Sequence, residues 1–361
     1  MPTDVPFDAL LIVSYGGPEG PDEVRPFLEN VLHGRNVSQE QQLDTAAAKY
    51  HAIGGASPVN EECRALIGGL LRGVDDGFWL QPAIVEPRID EVFARVKELP
   101  VYWGNLFWHP MLEDTMTGMA EEGIRRVIAF CTVPFGTEHS SLSYSRAIDA
   151  AVKKTHVPDL VVRQTRLFYD HPLFVSTMAD RLTETLQRRV ASGEGRVTRD
   201  EALNGNSPLT AHPSPLVLFT AHSVPRTDAA IESYQAQLKQ ACSRVAGLLQ
   251  LNQYGINWDI AFQSRSGPPG TWCGPDAAEF VKTIPERFPG TKTVIVCPIG
   301  FMLENMELLY DLDVELRQLC ESLGLDYDRT LPVSGHPKVI AMIRELVAEV
   351  DSPLVPRRSL G

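Results

Sequence analysis

The chain is poor in cysteine, and none of its six cysteines lies near another. Cys63, Cys131, Cys242, Cys273, Cys297 and Cys320 are at least 23 residues apart, so no C-x-x-C pair exists to hold a zinc knuckle or a local iron–sulfur centre. Several sit in apolar runs and read as buried thiols of a reducing compartment. Long hydrophobic stretches are missing too: no run of 18 apolar residues occurs, which excludes a membrane-spanning helix. The opening MPTDVPFDALLIV has no basic segment ahead of its apolar run, unlike a signal peptide. Basic residues fall short of acidic ones, 33 Lys and Arg against 46 Asp and Glu, and the net charge of −13 argues against nucleic acid or anionic membrane as a partner. Neither a GxGxxG nor a Walker pattern is present, so the glycine-rich turn YHAIGGASPV at 50–59 is not read as a nucleotide site. These absences predict a cytoplasmic protein, and a monomer is expected.

What is present is the profile of a globular α/β protein. Hydrophobic residues make up 43% and charged residues 22% of 361 residues, enough for two domains with large cores. Short apolar runs alternate with helical periodicities along the whole chain, which is the grammar of parallel sheets covered on both faces. The predicted fold is two Rossmann-like, doubly wound lobes with a central cleft. The first lobe spans 1–158 and the second 159–330, with a polar Gly/Ser/Asn/Pro surface insertion at 191–215. The segment 331–361 carries a last helix, Pro337 to Val350, that returns to the first lobe.

Two strand ends carry the candidate chemistry, because open α/β sheets bind ligands beyond the carboxyl ends of their strands. Thr293 to Pro298 reads as a buried strand, and a helix follows Gly300. Leu309, Leu312, Leu316, Leu319 and Leu323 form its core-facing seam. Glu304, Glu307, Asp311 and Glu315 recur at i+3, i+4 and i+4 on another face. Such a row of like charges is mildly unfavourable on a helix. It reads either as a solvated acidic face or as a ladder for cations and protons starting at Glu307. The run Leu216–Thr220 ends in Ala-His222-Ser-Val-Pro225 and sets a histidine at the same edge of a sheet. A lone histidine is more often structural, but one near a carboxylate can bind a metal or move protons. Trp272, in the proline-stiffened loop after Gln263, reads as core filling or as a wall of an apolar pocket.

Taken in order, SYGGP at 14–18, GR at 34–35, IGGASP at 53–58, WHPMLED at 108–114, SYSRA at 143–147, YDHPLF at 169–174, TAHSVP at 220–225, QSRSGPPGTWCGPD at 263–276 and PIGF…E…LYDLD at 298–313 resemble the ferrochelatases. The resemblance implies insertion of ferrous iron into a porphyrin, with both as substrates. It implies that His222 and Glu307 are the catalytic and metal-contacting pair, and that Glu304, Asp311 and Glu315 form an acidic relay. Tyr15, Arg35, Ser57 and Tyr144 match positions that line the porphyrin site. In the resemblance, enzymes that use coproporphyrin tend to carry Tyr at the position of Tyr15, where its phenol can reach the iron of the product, which implies coproporphyrin III over protoporphyrin IX. No cofactor is implied, since the tail lacks the clustered cysteines that hold a [2Fe–2S] centre in some relatives. Two departures stand out: Asn305 where the family commonly has His, and Leu106 where a basic residue is usual. The alternatives are a cobalt or nickel chelatase of the same fold, or a porphyrin carrier without turnover.

Overall fold

A computed structural model of the chain describes residues 7–33, 39–72, 99–138, 140–191 and 215–351. Arg35, residues 192–214 of the expected insertion and the tail after residue 351 lie outside the described residues. The chain divides into two compact units, one built from segments up to 133, from 139 to 168 and from 334 onward, the other from 134–138 and 169–333.

The first unit holds the strands β1 (Ala9–Ser14), β2 (Val101–Asn105), β3 (Arg126–Cys131) and β4 (Val161–Gln164), all parallel, in the order β2-β1-β3-β4. Its helices are α1 (Val24–Leu32), α2 (Gln39–Ala52), α3 (Val59–Arg72), α4 (Leu112–Glu121) and α5 (Ser141–Lys154). Ala9, Leu11 and Val13 pack on Met116 and Met119 of α4 and on Ile148 and Ala151 of α5. Leu10 and Ile12, pointing the other way, are equally buried. Both faces of β1 are thus covered, which is why it reads as an unbroken apolar run rather than an alternating one.

The second unit repeats this plan with α6 (Pro172–Ala191), β5 (Leu216–His222), α7 (Ile231–Leu248), β6 (Asn257–Gln263), α8 (Ala277–Arg287), β7 (Thr293–Cys297) and β8 (Asp326–Arg329), in the strand order β6-β5-β7-β8. Between β7 and β8 runs a π-helix, Leu308–Leu316, continued by α9 (Arg317–Ser322). Leu216, Leu218, Val294 and Val296 pack beneath Phe280, Val281 and Ile284 of α8 and Leu308, Leu312 and Leu316 of the π-helix. In each sheet the order reverses at the first strand, so β1 and β5 are the topological switch points where a ligand crevice is expected.

Two expectations change. Val161–Gln164 pairs with β3, so the first unit runs past 158 to Phe168. A short strand carries no mark of which sheet it joins; pairing alone decides. The core seam of the last site helix is Leu308, Leu312, Leu316 and Cys320, with Leu323 38% exposed and Leu309 only partly buried. The expected seam assumed α geometry, whereas i→i+5 bonding keeps residues four apart on one face for longer. Finally, α2 and β8 had no clear signature, since neither QEQQLDTAAAKYHA nor DYDR shows a clean apolar period. The closing helix α10 (Pro337–Asp351) belongs to the first unit, where Arg344 Nη2 donates to the Leu70 carbonyl at 3.0 Å and Arg166 pairs with Glu349 at 2.9 Å. No helix among the described residues is long and apolar enough to cross a membrane.

Candidate active site

His222 is the last residue of β5, the switch strand of the second unit. Its position is set from three sides. Tyr234 Oη on α7 donates to the His222 carbonyl at 2.8 Å. The next residue, Ser223, is tied to β6 and the loop beyond it, its N–H donating to the Gln263 carbonyl at 2.8 Å and its hydroxyl to the Cys273 carbonyl at 2.7 Å. On the β7 side, Gly300 N–H donates to the Thr220 carbonyl at 3.0 Å. A Cβ on Gly300 would stand 2.6 Å from the Ala221 Cβ, so only glycine lets this turn approach the strand so closely.

The same packing brings up Glu307. Its Oε1 lies 3.3 Å from His222 Nε2, the two side chains being 32% and 40% exposed. His222 Nδ1 bonds the Ser223 carbonyl, which orients the ring and leaves Nε2 facing the carboxylate. Partial burial works against charge on this imidazole. Attraction to Glu307, the hydrogen bond with it, the Ser223 carbonyl and more distant Asp311 together outweigh that effect and push its pKa up to about 9. The contact with Glu307 therefore favours the charged imidazole.

Glu307 itself is fixed by Asn305, whose Oδ1 accepts from the N–H groups of Glu307 at 2.9 Å and Leu308 at 3.3 Å. Asn305 caps the short α-helical turn, residues 306–307, that leads into the π-helix. The residue that departs from the family pattern thus has a local structural task. Asp311, one turn on, accepts a hydrogen bond from Ser264, a non-glycine residue with φ of 59° just past β6. Glu315 is exposed further along the π-helix. Glu304 does not share this face: it precedes the cap, is 9% exposed and is paired with Arg329 at 3.2 Å. Of the four predicted carboxylates, the helix carries Glu307, Asp311 and Glu315.

The loop after β6 is braced rather than loose. Pro225 and Trp272 form an antiparallel bridge, and Cys273 N–H donates to the Val224 carbonyl at 2.8 Å. A Cβ on Gly267 would fall 1.9 Å from Trp272 Nε1, so the indole lies directly against this glycine. Asp276 caps α8 by accepting from Ala278 and Glu279 N–H. Gln263, in register with His222 on β6, was not singled out from the sequence. The residue is 3% exposed, and among the described residues neither Oε1 nor Nε2 has a hydrogen-bond partner. A buried amide left so is costly.

The remaining candidates lie in the first unit. Tyr15 directly follows β1, as Ser223 follows β5, and is 39% exposed. Its ring leans on Phe107 with centroids 4.6 Å apart and on Phe27 at 6.3 Å. A buried polar knot holds its loop: Asn60 Nδ2 donates to the Gly17 carbonyl at 3.2 Å, and Asn105 Nδ2 donates to Asn60 Oδ1 at 3.2 Å and to the His109 carbonyl at 3.0 Å. Ser57 is 7% exposed beside this loop, its N–H donating to the Pro18 carbonyl at 2.8 Å. Tyr144 is only 4% exposed and lies in the core of the sheet's α5 face; burial pushes its pKa well up, against a hydrogen bond with Thr132. The motif SYSRA that suggested Tyr144 carries no mark of whether its phenol faces a core or a ligand. Among the described residues, no three His, Cys, Asp or Glu side chains converge on a metal position.

Comparison with known proteins bears on this geometry. A family model described as Ferrochelatase matches residues 7–350. A ferrochelatase of Rhodopirellula baltica is 34% identical over 99% of this chain and 90% of its own length. A coproporphyrin III ferrochelatase of Frankia alni is 36% identical, covering 98% and 82%, and one of Mycolicibacterium smegmatis is 34% identical, covering 98% and 93%. The solved structure of SirB from Bacillus subtilis with Fe3+ superposes with a TM-score of 0.50 at 12% identity over 96% of each chain, a likeness of fold alone. With the family model matched almost end to end and such relatives aligned over most of their length, this chain belongs to the ferrochelatase family.

Proposed function

We propose that the chain inserts Fe²⁺ into coproporphyrin III, using His222 and Glu307 as the reacting pair. The observation that carries this reading is the 3.3 Å approach of His222 Nε2 to Glu307 Oε1 at the switch strand. Metal insertion must strip water from Fe²⁺ and remove two pyrrole protons. An imidazole and a carboxylate supply both a nitrogen or oxygen donor and a proton acceptor. A pair, rather than a closed set of four ligands, leaves coordination positions for the macrocycle nitrogens and lets the ion leave the protein. His222 Nε2 must give up its proton before its lone pair is free. Glu307 is the nearest acceptor, and Asp311 and Glu315 continue the acidic row along the helix.

Coproporphyrin III is favoured over protoporphyrin IX by Tyr15 and by the relatives that carry that substrate in their names. Its two additional carboxylates need extra donors, for which Arg35 and Ser57 are the proposed sources, Tyr144 being buried in the core of the first sheet's α5 face. We further take the protein to work in the cytoplasm as a monomer without an iron–sulfur cluster.

The test is anaerobic Fe²⁺ insertion followed by the absorbance change of the porphyrin. His222→Ala and Glu307→Gln should each reduce turnover by about a thousandfold or more while porphyrin affinity changes little, because both act on the reacting atoms. Near-wild-type turnover in either variant would remove that residue from the chemistry. With the wild-type chain, kcat/KM for coproporphyrin III should exceed that for protoporphyrin IX by about tenfold, or ~1.4 kcal/mol of transition-state discrimination. A tenfold preference the other way would overturn the substrate assignment.

A further inference from the structure

The π-helix is unusual in length. Such i→i+5 segments occur mostly as single-turn bulges and tend to sit at functional sites, yet this one continues for nine residues. Its bonding is intrinsically poorer than that of an α-helix, so the surroundings must hold it. Two of the supports have been described, the Asn305 cap and the seam of Leu308, Leu312 and Leu316. The third is an arginine on the neighbouring strand.

Arg329 closes β8 and is in register with Val296 of β7, on the sheet face that the π-helix covers. Its guanidinium grips Asp313 in a fork, Nη2 to Oδ2 at 2.6 Å and Nε to Oδ1 at 2.9 Å. The same group reaches Glu304, with Nη2 3.2 Å from Oε1 and Nη1 3.3 Å from Oε2. The three side chains are 8%, 23% and 12% exposed, so the contacts are shielded from water. Arg317 completes the cluster: its Nε donates to the Asp313 carbonyl at 3.1 Å, its Nη2 lies 3.8 Å from Asp313 Oδ1, and its guanidinium stacks on Tyr327. Two cations thus meet two carboxylates. The carboxylates of Glu304 and Asp313 are both engaged by guanidinium groups.

The placement in the chain matters as much as the charges. Glu304 stands ahead of the N-cap and Asp313 lies inside the helix, while Glu307 and Asp311 lie between them. One guanidinium therefore pins both ends of the segment that carries the reactive carboxylates. Bidentate geometry fixes rotation as well as distance, which a lysine ammonium cannot do as well. If either end came loose, relaxation of the helix toward i→i+4 bonding would rotate Glu307 away from its 3.3 Å contact with His222.

We propose that Arg329 is a positioning residue for metal insertion: by joining Glu304 to Asp313 it holds the π-helix in the register that presents Glu307 to His222. This rests on the reading of His222 and Glu307 as the reacting pair. It also removes Glu304 from the acidic relay and gives it a structural partner instead.

The test uses the full chain with Arg329→Met, Arg329→Lys, Asp313→Asn and Glu304→Gln, beside His222→Ala as a control. Anaerobic Fe²⁺ insertion supplies kcat and the KM for iron, tryptophan quenching supplies porphyrin affinity, and thermal unfolding reports folding. Asp313→Asn and Arg329→Met should lower kcat about tenfold or more with porphyrin affinity within about twofold, the pattern of a misplaced catalytic group rather than lost binding. Arg329→Lys, which keeps the charge, should recover a measurable part of that loss. Should Arg329→Met fail to fold, the isosteric Asp313→Asn decides. A folded Asp313→Asn protein with wild-type kcat, however reduced its melting temperature, overturns the proposal, because the cluster then only stabilises the unit. If His222→Ala is also fully active, the fault lies in the assignment of the reacting pair; if His222→Ala is inactive, it lies in the clamp.

Discussion

His222 is subject to opposed forces whose balance can be measured. Burial disfavours its charge and Glu307 favours it, and the result is a folded-state pKa raised to about 9 from an unfolded value near 6.5. A raised pKa means that the folded state binds this proton more tightly than the unfolded state does. The stabilisation is then complete below about pH 6.5 and is lost as pH rises through about 9. Glu307→Gln removes the main attraction, so the melting temperature of that variant should differ from wild type below pH 6.5, with the difference shrinking between about pH 6.5 and 9. Because His222 is 40% exposed, solvent screening keeps the effect small. A gap between the two melting curves that did not vary with pH would mean that the pair is not ionic in the free protein. Its place at a strand end within TAHSVP was legible from the apolar run before it. The identity of its partner was not, since Glu307 lies 85 residues further along the chain and only the neighbouring strands β5 and β7 bring the two together.

The element that delivers Glu307 depends on the residue that caps it. Asn305 cannot relay a proton as a histidine would, and its Oδ1 is engaged by the Glu307 and Leu308 N–H groups. Asn305→Ala should therefore destabilise the protein by about 1 kcal/mol, as loss of an N-cap does, and should lower kcat by loosening the turn that carries Glu307. Asn305→Asp and Asn305→Ser, which restore a cap acceptor, should regain most of the stability. Chemical denaturation of the three variants checks this. Equal stability for Ala and Asp would show that the cap contributes nothing. The helix was visible in the sequence as a leucine-rich period, but its winding was not. Leu309 and Leu308 are both apolar, so composition could not say which faces the core; the i→i+5 bonding selects Leu308, and with it the face on which Asp311 follows Glu307.

Across the whole molecule the charge is negative, −13 from 33 basic and 46 acidic residues. Such a surface raises the local concentration of a divalent cation and hinders a tetra-acid porphyrin, so the porphyrin's carboxylates must be met locally by basic or hydroxyl donors. Asp311→Asn and Glu315→Gln should raise the apparent KM for Fe²⁺ by about two- to fivefold with little change in kcat, and the difference from wild type should fade above about 0.1 M salt, where the Debye length is ~10 Å. Titrating iron at two ionic strengths tests this. A KM indifferent to both substitutions and salt would leave Asp311 and Glu315 as an ordinary solvated face. Two sheets of the same strand order, β2-β1-β3-β4 and β6-β5-β7-β8, explain why the sequence reads as two similar halves. They also explain why Tyr15 and His222 both stand at the ends of switch strands.

The sequence by itself determined the α/β class, most of the strands and the strand-end position of His222. Each of these follows from local causes: apolar runs covered on both faces, glycine and proline turns, and the order of motifs. Tertiary structure decided the rest. It assigned Val161–Gln164 to the first sheet, buried Tyr144 in a core, turned Asn305 into a cap and withdrew Glu304 from the helix face to meet Arg329. Arg329 had no signal at all in the sequence, because a charged residue in DYDR looks like a surface strand end until its carboxylate partners, 16 and 25 residues earlier, are folded onto it. A side chain's chemistry is local, but its partner is set by pairing and packing between distant segments, and no local pattern records that choice.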